Sequence, residues 1–118
     1  MNQQKRVLIV DDQPLVLKGL KVMLAFYPAL LVVGEAVNGA EAVQLVAAQQ
    51  PDVVVMDLQM PVMDGLAATR LIKQQWPAIK VVVLTVQASR RAEAFNAGAD
   101  HFLLKGNGPE ALEQAILS

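Results

Sequence analysis

Five polar side chains stand where chemistry could be done. Asp11 and Asp12 follow the apolar run Val7-Leu8-Ile9-Val10, and Asp57 follows Val53-Val54-Val55-Met56. Thr85 follows Val81-Val82-Val83-Leu84, and Lys105 follows Phe102-Leu103-Leu104. One aspartate after an apolar run is ordinary loop composition; five polar residues placed alike form a convergent set. Two carboxylates about 4 Å apart repel by roughly 4 kcal/mol at an effective dielectric of about 20, so three together bind protons or call for a cation. Mg²⁺ prefers one or two carboxylates, retained waters and a phosphate oxygen. The set therefore reads as a cradle for Mg²⁺ and a phosphoryl group, with Lys105 neutralising one oxygen and Thr85 donating to another. A carboxylate can also be the nucleophile and form an aspartyl-phosphate. Asp57 suits that role because it stands alone, whereas the adjacent Asp11 and Asp12 suit a metal pair.

Such a cradle needs strands that end together. The four runs, with Leu31-Val32-Val33 as a fifth, are mostly continuous rather than alternating, the pattern of strands covered on both faces. Helical spacing lies between them. Pro14 suits a first turn ahead of Leu15, Leu17, Leu20, Val22 and Leu24, and Asn38 to Glu41 resembles a capping box. Asp64-Gly65 opens a third helix that ends before Trp76-Pro77, Ser89 caps a fourth closed by Ala97-Gly98, and Pro109 starts a fifth. The alternation βαβαβαβαβα requires parallel strands with helices on both faces. Ligands in such sheets bind beyond the carboxyl ends of the strands, where the five residues fall. The second run delivers nothing comparable, which suits an outer strand.

Composition narrows the function classes. The 118 residues make one domain, and 54% apolar with 18% charged residues argue for a packed core. A net charge of −1 gives no global field for nucleic acid or an anionic membrane. Cysteine is absent, which excludes disulfides, thiolate metal sites and a Cys nucleophile and fits a reducing compartment. No apolar run approaches the ~18 residues of a membrane span, and the N-terminus does not read as a signal peptide.

The sequence resembles the receiver domain of two-component response regulators across residues 1–118. The resemblance is carried by Val7-Leu8-Ile9-Val10-Asp11-Asp12, Val55-Met56-Asp57-Leu58-Gln59-Met60-Pro61, Met63-Asp64-Gly65, Leu84-Thr85 and Ala97-Gly98-Ala99-Asp100 leading to Leu103-Leu104-Lys105. Asp11-Asp12-Gln13-Pro14-Leu15-Val16, Val32-Val33-Gly34-Glu35-Ala36 and Gly65-Leu66-Ala67-Ala68-Thr69-Arg70 look like the NarL/LuxR-type subgroup. The resemblance implies a flavodoxin-like, doubly wound, five-stranded parallel sheet of order 2-1-3-4-5. It implies that Asp57 accepts a phosphoryl group from a sensor histidine kinase. Asp12 and Asp57 would ligate Mg²⁺ directly, Asp11 would help through water, and the Gln59 backbone carbonyl would complete the site. Lys105 would contact the phosphoryl group, and Thr85 and Phe102 would be a switch pair in which the ring turns inward. The fourth helix, fifth strand and fifth helix would be the signalling face. Either that face or the first and fifth helices could join a homodimer. DNA would be reached only through a separate C-terminal output domain, and the location would be cytoplasmic, with no membrane partner.

Several features depart from the pattern or compete with it. The stretch from Thr85 to Lys105 is shorter than usual around Val86-Gln87-Ala88-Ser89, which would restrict the loop that moves on activation. Val86 is bulkier than the usual residue, which predicts slower entry of small phosphodonors and water, and Gly106 follows the lysine where proline or aspartate is usual. Gly106-Asn107-Gly108-Pro109-Glu110-Ala111 mimics a dinucleotide fingerprint, but a further strand with an acidic residue does not follow. His101 reads as a surface strand residue, and Met56, Met60 and Met63 as core filler. Lys5, Arg6, Lys18 and Lys21, and Arg90 with Arg91, read as solvated surface or protein contacts rather than a DNA site. An aspartate-nucleophile phosphatase wants a second Asp two positions on, and from Asp11 that position is Gln13. A pseudo-receiver that binds without phosphorylation is the remaining rival, and the intact five-residue set argues against it.

Overall fold

The structure, a computed structural model, describes residues 3–118. Five strands, β1 (Lys5–Val10), β2 (Leu30–Ala36), β3 (Val53–Met56), β4 (Lys80–Thr85) and β5 (His101–Leu104), form one parallel sheet. Its order is β2-β1-β3-β4-β5, as the resemblance implies. The helices are α1 (Pro14–Ala25), α2 (Gly39–Gln49), α3 (Gly65–Gln75), α4 (Arg91–Asn96) and α5 (Pro109–Leu117).

The continuous apolar runs become central strands because both faces are covered. Leu8, Val10, Val54, Met56, Val81, Val83 and Phe102 pack under Ala42 and Val46 of α2, Leu66 and Ile72 of α3 and Ala94 of α4. Val7, Ile9, Val53, Val55, Val82 and Leu84 pack on the other side under Leu17, Leu20 and Leu24 of α1 and Leu112 and Ile116 of α5. Leu15 and Val22, which share the helical spacing of α1, instead face outward.

Local chemistry sets most helix starts. Pro14 occupies the first turn of α1. Asn38 Oδ1 accepts from the Glu41 N–H at 2.8 Å, and Glu41 Oε1 accepts from the Val37 N–H at 3.3 Å, one residue short of the reciprocal bond of a capping box. Asp64 Oδ1 caps α3 through the Ala67 N–H at 2.9 Å. Ser89 does not cap the fourth helix. The chain enters a 3₁₀ turn over Ala88–Arg90, so α4 starts at Arg91 with no side-chain cap. The second strand is longer than its apolar run and carries a register shift opposite Val7 and Leu8. An edge strand tolerates Gly34 and Glu35, so hydrophobicity alone understates its length. The three methionines lie in or against the core of the α2–α3–α4 face.

Val62 is the one strained position beside the carboxyl edge. It has φ of 70° and is exposed, and the Met63 N–H donates to the Pro61 carbonyl across it at 2.8 Å. A γ-turn with positive φ is rare, and a β-branched residue there is a steric outlier. Val62→Gly is expected to stabilise the fold by about 1 kcal/mol, since relieved strain exceeds the added chain entropy. Urea denaturation checks this; an unchanged or lower midpoint would contradict it.

Candidate functional site

Strand register delivers the five residues to one edge. Val10, Met56 and Val83 lie level across β1, β3 and β4, and Thr85 lies level with Leu104 of β5. The ladder continues into the site itself. The Asp11 N–H donates to the Ala36 carbonyl at 3.0 Å, the Asp57 N–H to the Val10 carbonyl at 3.0 Å, and the Lys105 N–H to the Thr85 carbonyl at 2.9 Å. Thr85 is thus the last residue of β4 rather than the first after it.

The side chains converge as the spacing predicts. Carboxylate oxygens of Asp11, Asp12 and Asp57 lie within 4.8 Å of one another. Lys105 Nζ is 2.6 Å from Asp11 Oδ2 and 3.6 Å from Asp57 Oδ2. The other Asp11 oxygen accepts from the Gln13 N–H at 3.0 Å. Both oxygens of this buried carboxylate therefore have partners, which leaves Asp12 and Asp57 freer to take a cation. Asp57, Gln59, Thr85, Val86 and Lys105 line a pocket of about 460 Å³ with Asp12. The donor set is all oxygen, with a lysine to offset part of its charge, and it fits a hard divalent cation.

Thr85 is buried, and its Oγ1 accepts from the Gln87 N–H at 3.3 Å, so its own proton remains available to a ligand oxygen. Phe102 already lies in the core, with the Arg91 guanidinium 5.8 Å from its ring centre and 5.0 Å from that of Phe95. Arg90 pairs with Glu93, and Arg6 donates to the Gln50 carbonyl, so these two basic residues make protein contacts. His101 opens β5 and meets Ser118 Oγ at 2.8 Å, away from the aspartates.

Two glycines hold the loop that follows Asp57: Gly65, from the Met63-Asp64-Gly65 motif, and Gly39, from the capping stretch Asn38 to Glu41. A Cβ on Gly65 would land on the Asp57 carbonyl oxygen, and a Cβ on Gly39 would meet the Met63 carbonyl oxygen at 2.6 Å. The Gly39 N–H donates to that same carbonyl at 2.8 Å. Gly39 escapes sequence reading because it looks like the ordinary first residue of a capped helix.

Burial pushes the Asp57 carboxyl above the ordinary carboxylate range; Lys105 and the Leu58 N–H oppose this, while Asp11 and Asp12 add to it. The folded chain therefore holds the Asp57 proton to higher pH than the unfolded chain, and stability falls as pH rises through that window.

The fold and this edge define a class. The chain matches the response regulator receiver domain family over residues 7–117 and belongs to it. It is 43% identical over 113 residues to the response regulator GacA of Pseudomonas aeruginosa, covering 94% of this chain and 53% of that protein. It is 34% identical over 112 residues to the nitrate/nitrite response regulator NarL of Escherichia coli, covering 93% of this chain and 52% of that one. The chain thus spans about half the length of these relatives. A two-component response regulator of the LuxR family from Aurantimonas superposes with a TM-score of 0.91 at 36% identity, over 98% of this chain and 84% of that one. The response regulator domain of Thermotoga maritima CheB superposes at 0.86 with 31% identity, over 98% of both chains. The chain is thus a receiver domain of the LuxR-type response regulators, the family of phosphorylation-controlled signalling.

Two expectations follow. Gly65→Ala forces the start of α3 off β3 and should cost about 2 kcal/mol, read by chemical denaturation; full stability would mean the close approach is absent. In metal-free protein at neutral pH, Asp57→Asn should raise the thermal midpoint. That advantage should shrink as pH falls and Asp57 becomes protonated, and an advantage that is constant with pH would contradict the assignment.

Proposed function

We propose that the chain is a phosphorylation-controlled switch in which Asp57 accepts a phosphoryl group from a phosphohistidine on a sensor kinase. The convergence of three carboxylates and Lys105 at one sheet edge is the observation that carries this reading. Asp12, Asp57 and the Gln59 backbone carbonyl would hold Mg²⁺ directly, with Asp11 assisting through water. Bound there, Mg²⁺ supplies positive charge for the phosphoryl oxygens.

An Asp57 carboxylate oxygen attacks phosphorus in line. The P–N bond to the donor imidazole breaks, its electron pair stays on the ring nitrogen, and that nitrogen then takes a proton. Lys105 leaves Asp11 in part to meet a phosphoryl oxygen, and the Thr85 hydroxyl donates to another. The protein's share of the work is positioning and electrostatics. Water later attacks phosphorus, the P–O bond to Asp57 breaks and inorganic phosphate leaves, so the domain promotes its own phosphorylation and dephosphorylation but acts on no other substrate.

The phosphorylated state draws Thr85 toward the site and lets Phe102 settle further beneath α4. This changes the face formed by α4, β5 and α5. Self-association would use that face or the α1–α5 face, where an apolar groove of about 420 Å³ reaches Lys105. No described helix is long and apolar enough to cross a membrane, and we place the switch in the cytoplasm. Residues 1–118 act as the receiver unit, and control of transcription passes through a DNA-binding output domain.

Intact-mass analysis after treatment with acetyl phosphate tests the reading. A single hydroxylamine-labile adduct is expected in the presence of Mg²⁺, absent without it and absent in Asp57→Asn. An adduct that persists in the variant moves the acceptor elsewhere; no adduct at all favours a receiver that binds partners without phosphorylation. Val86 is 72% exposed on the rim of the pocket. Val86→Ala should label faster with acetyl phosphate and lose phosphate sooner, and equal rates would show that the rim does not limit access.

A further inference from the structure

We infer that Gln87 is a positioning residue that carries cation occupancy at the aspartate cluster to the first turn of α4. The inference rests on the proposed Mg²⁺ site. Gln87 Nε2 donates to Gln59 Oε1 at 3.0 Å, joining two loops whose partners are 28 positions apart. The Gln87 backbone N–H donates to Thr85 Oγ1 at 3.3 Å. Arg90 Nη1 donates to Gln87 Oε1 at 3.4 Å, and Arg90 Nε and Nη2 reach the Glu93 carboxylate at 3.3 and 3.4 Å. One row of polar contacts, Gln59–Gln87–Arg90–Glu93, thus runs from the wall of the acidic pocket onto α4.

What the row holds is lightly anchored. α4 has six residues, no side-chain cap, and Ala94 as its buried residue. An element with so little buried surface opens at low cost, so a few polar contacts at its start bias its position. Gln59 contributes to both ends of the coupling. Its backbone carbonyl is a proposed cation ligand, and its side chain grips Gln87. Fixing that carbonyl on a cation orients the Gln59 side chain, and the amide pair passes the constraint to Gln87. The row ends beside Arg91, which lies over Phe95 and Phe102, so it reaches the same helix as the Thr85–Phe102 pair through side chains that meet that pair only at the Gln87 N–H to Thr85 Oγ1 bond. Neutral amide pairs near solvent are weak individually, which suits a responsive contact rather than a rigid strut.

Backbone amide NMR of the ¹⁵N-labelled chain, titrated to saturation with Mg²⁺, tests this. In the wild type, shifts are expected at Asp12, Asp57 and Gln59 and also at Arg91 and Ala92. In Gln87→Ala, which keeps the backbone bond to Thr85, the aspartate-loop shifts should persist and those at Arg91 and Ala92 should be lost. Gln59→Ala should lose the same α4 shifts, and the double variant should lose no more than either single one. An α4 response that survives in Gln87→Ala overturns the inference and leaves the cation site standing. Loss of the aspartate-loop shifts in Gln87→Ala also overturns it, since the side chain would then be supporting the site itself. No shifts at the aspartates in the wild type would sink the underlying Mg²⁺ reading together with the inference.

Discussion

Repulsion among three converging carboxylates is the constraint on which the rest of the molecule depends. Asp11, Asp12 and Asp57 bring ligand oxygens within 4.8 Å of one another at the ends of β1 and β3, two of them buried. Like charges so placed favour the neutral acid; at Asp57 burial is the main cause that pushes the carboxyl upward, Lys105 opposes it, and Asp11 and Asp12 add to it. Lys105 arrives from β5 to offset part of the charge, but its closer bond is to Asp11. The residual negative charge is what suits this all-oxygen site to a hard divalent cation.

The fold keeps those charges together rather than letting them part. Backbone ladder bonds continue through Asp11, Asp57 and Lys105, so none of the three can retreat without breaking the edge of the sheet. Close backbone packing at Gly65 and Gly39 pins the loop after Asp57. Two apolar layers, one on each face, fix the strands whose register sets the separations. α4 is short, follows a 3₁₀ turn and has Ala94 as its buried residue, with Arg90 bonded to Gln87 just ahead of it.

Strand identity and the convergence of the five polar residues were legible because each rests on a strong local signal, whereas the sheet order came from the resemblance to the receiver family. Val53–Met56 is apolar throughout and buried throughout, and Asp57 follows it directly. Asn38, Asp64 and Pro109 open helices by mechanisms confined to a few neighbouring residues. What was not legible depends on where separate loops meet. Ser89 has the chemistry of a cap, yet the turn at Ala88–Arg90 takes it out of position. Leu15 and Val22 share the period of α1, but the core reaches only its Leu17–Leu20–Leu24 side. The extent of β2 was hidden by Gly34 and Glu35, which an edge strand accepts. The Gln59–Gln87 pair has no sequence signature, since it exists only once the β3 and β4 loops face each other.

The proposed switch depends on one cation site assembled from distant parts of the chain, and Mn²⁺ as a paramagnetic substitute for Mg²⁺ tests that site most directly. The predicted result is selective broadening of the amides of Asp11, Asp12, Asp57, Gln59 and Lys105, reversed by excess Mg²⁺, with Lys5, Val53, Lys80 and His101 at the far ends of their strands unaffected. Broadening centred elsewhere, or none at these residues, would contradict it.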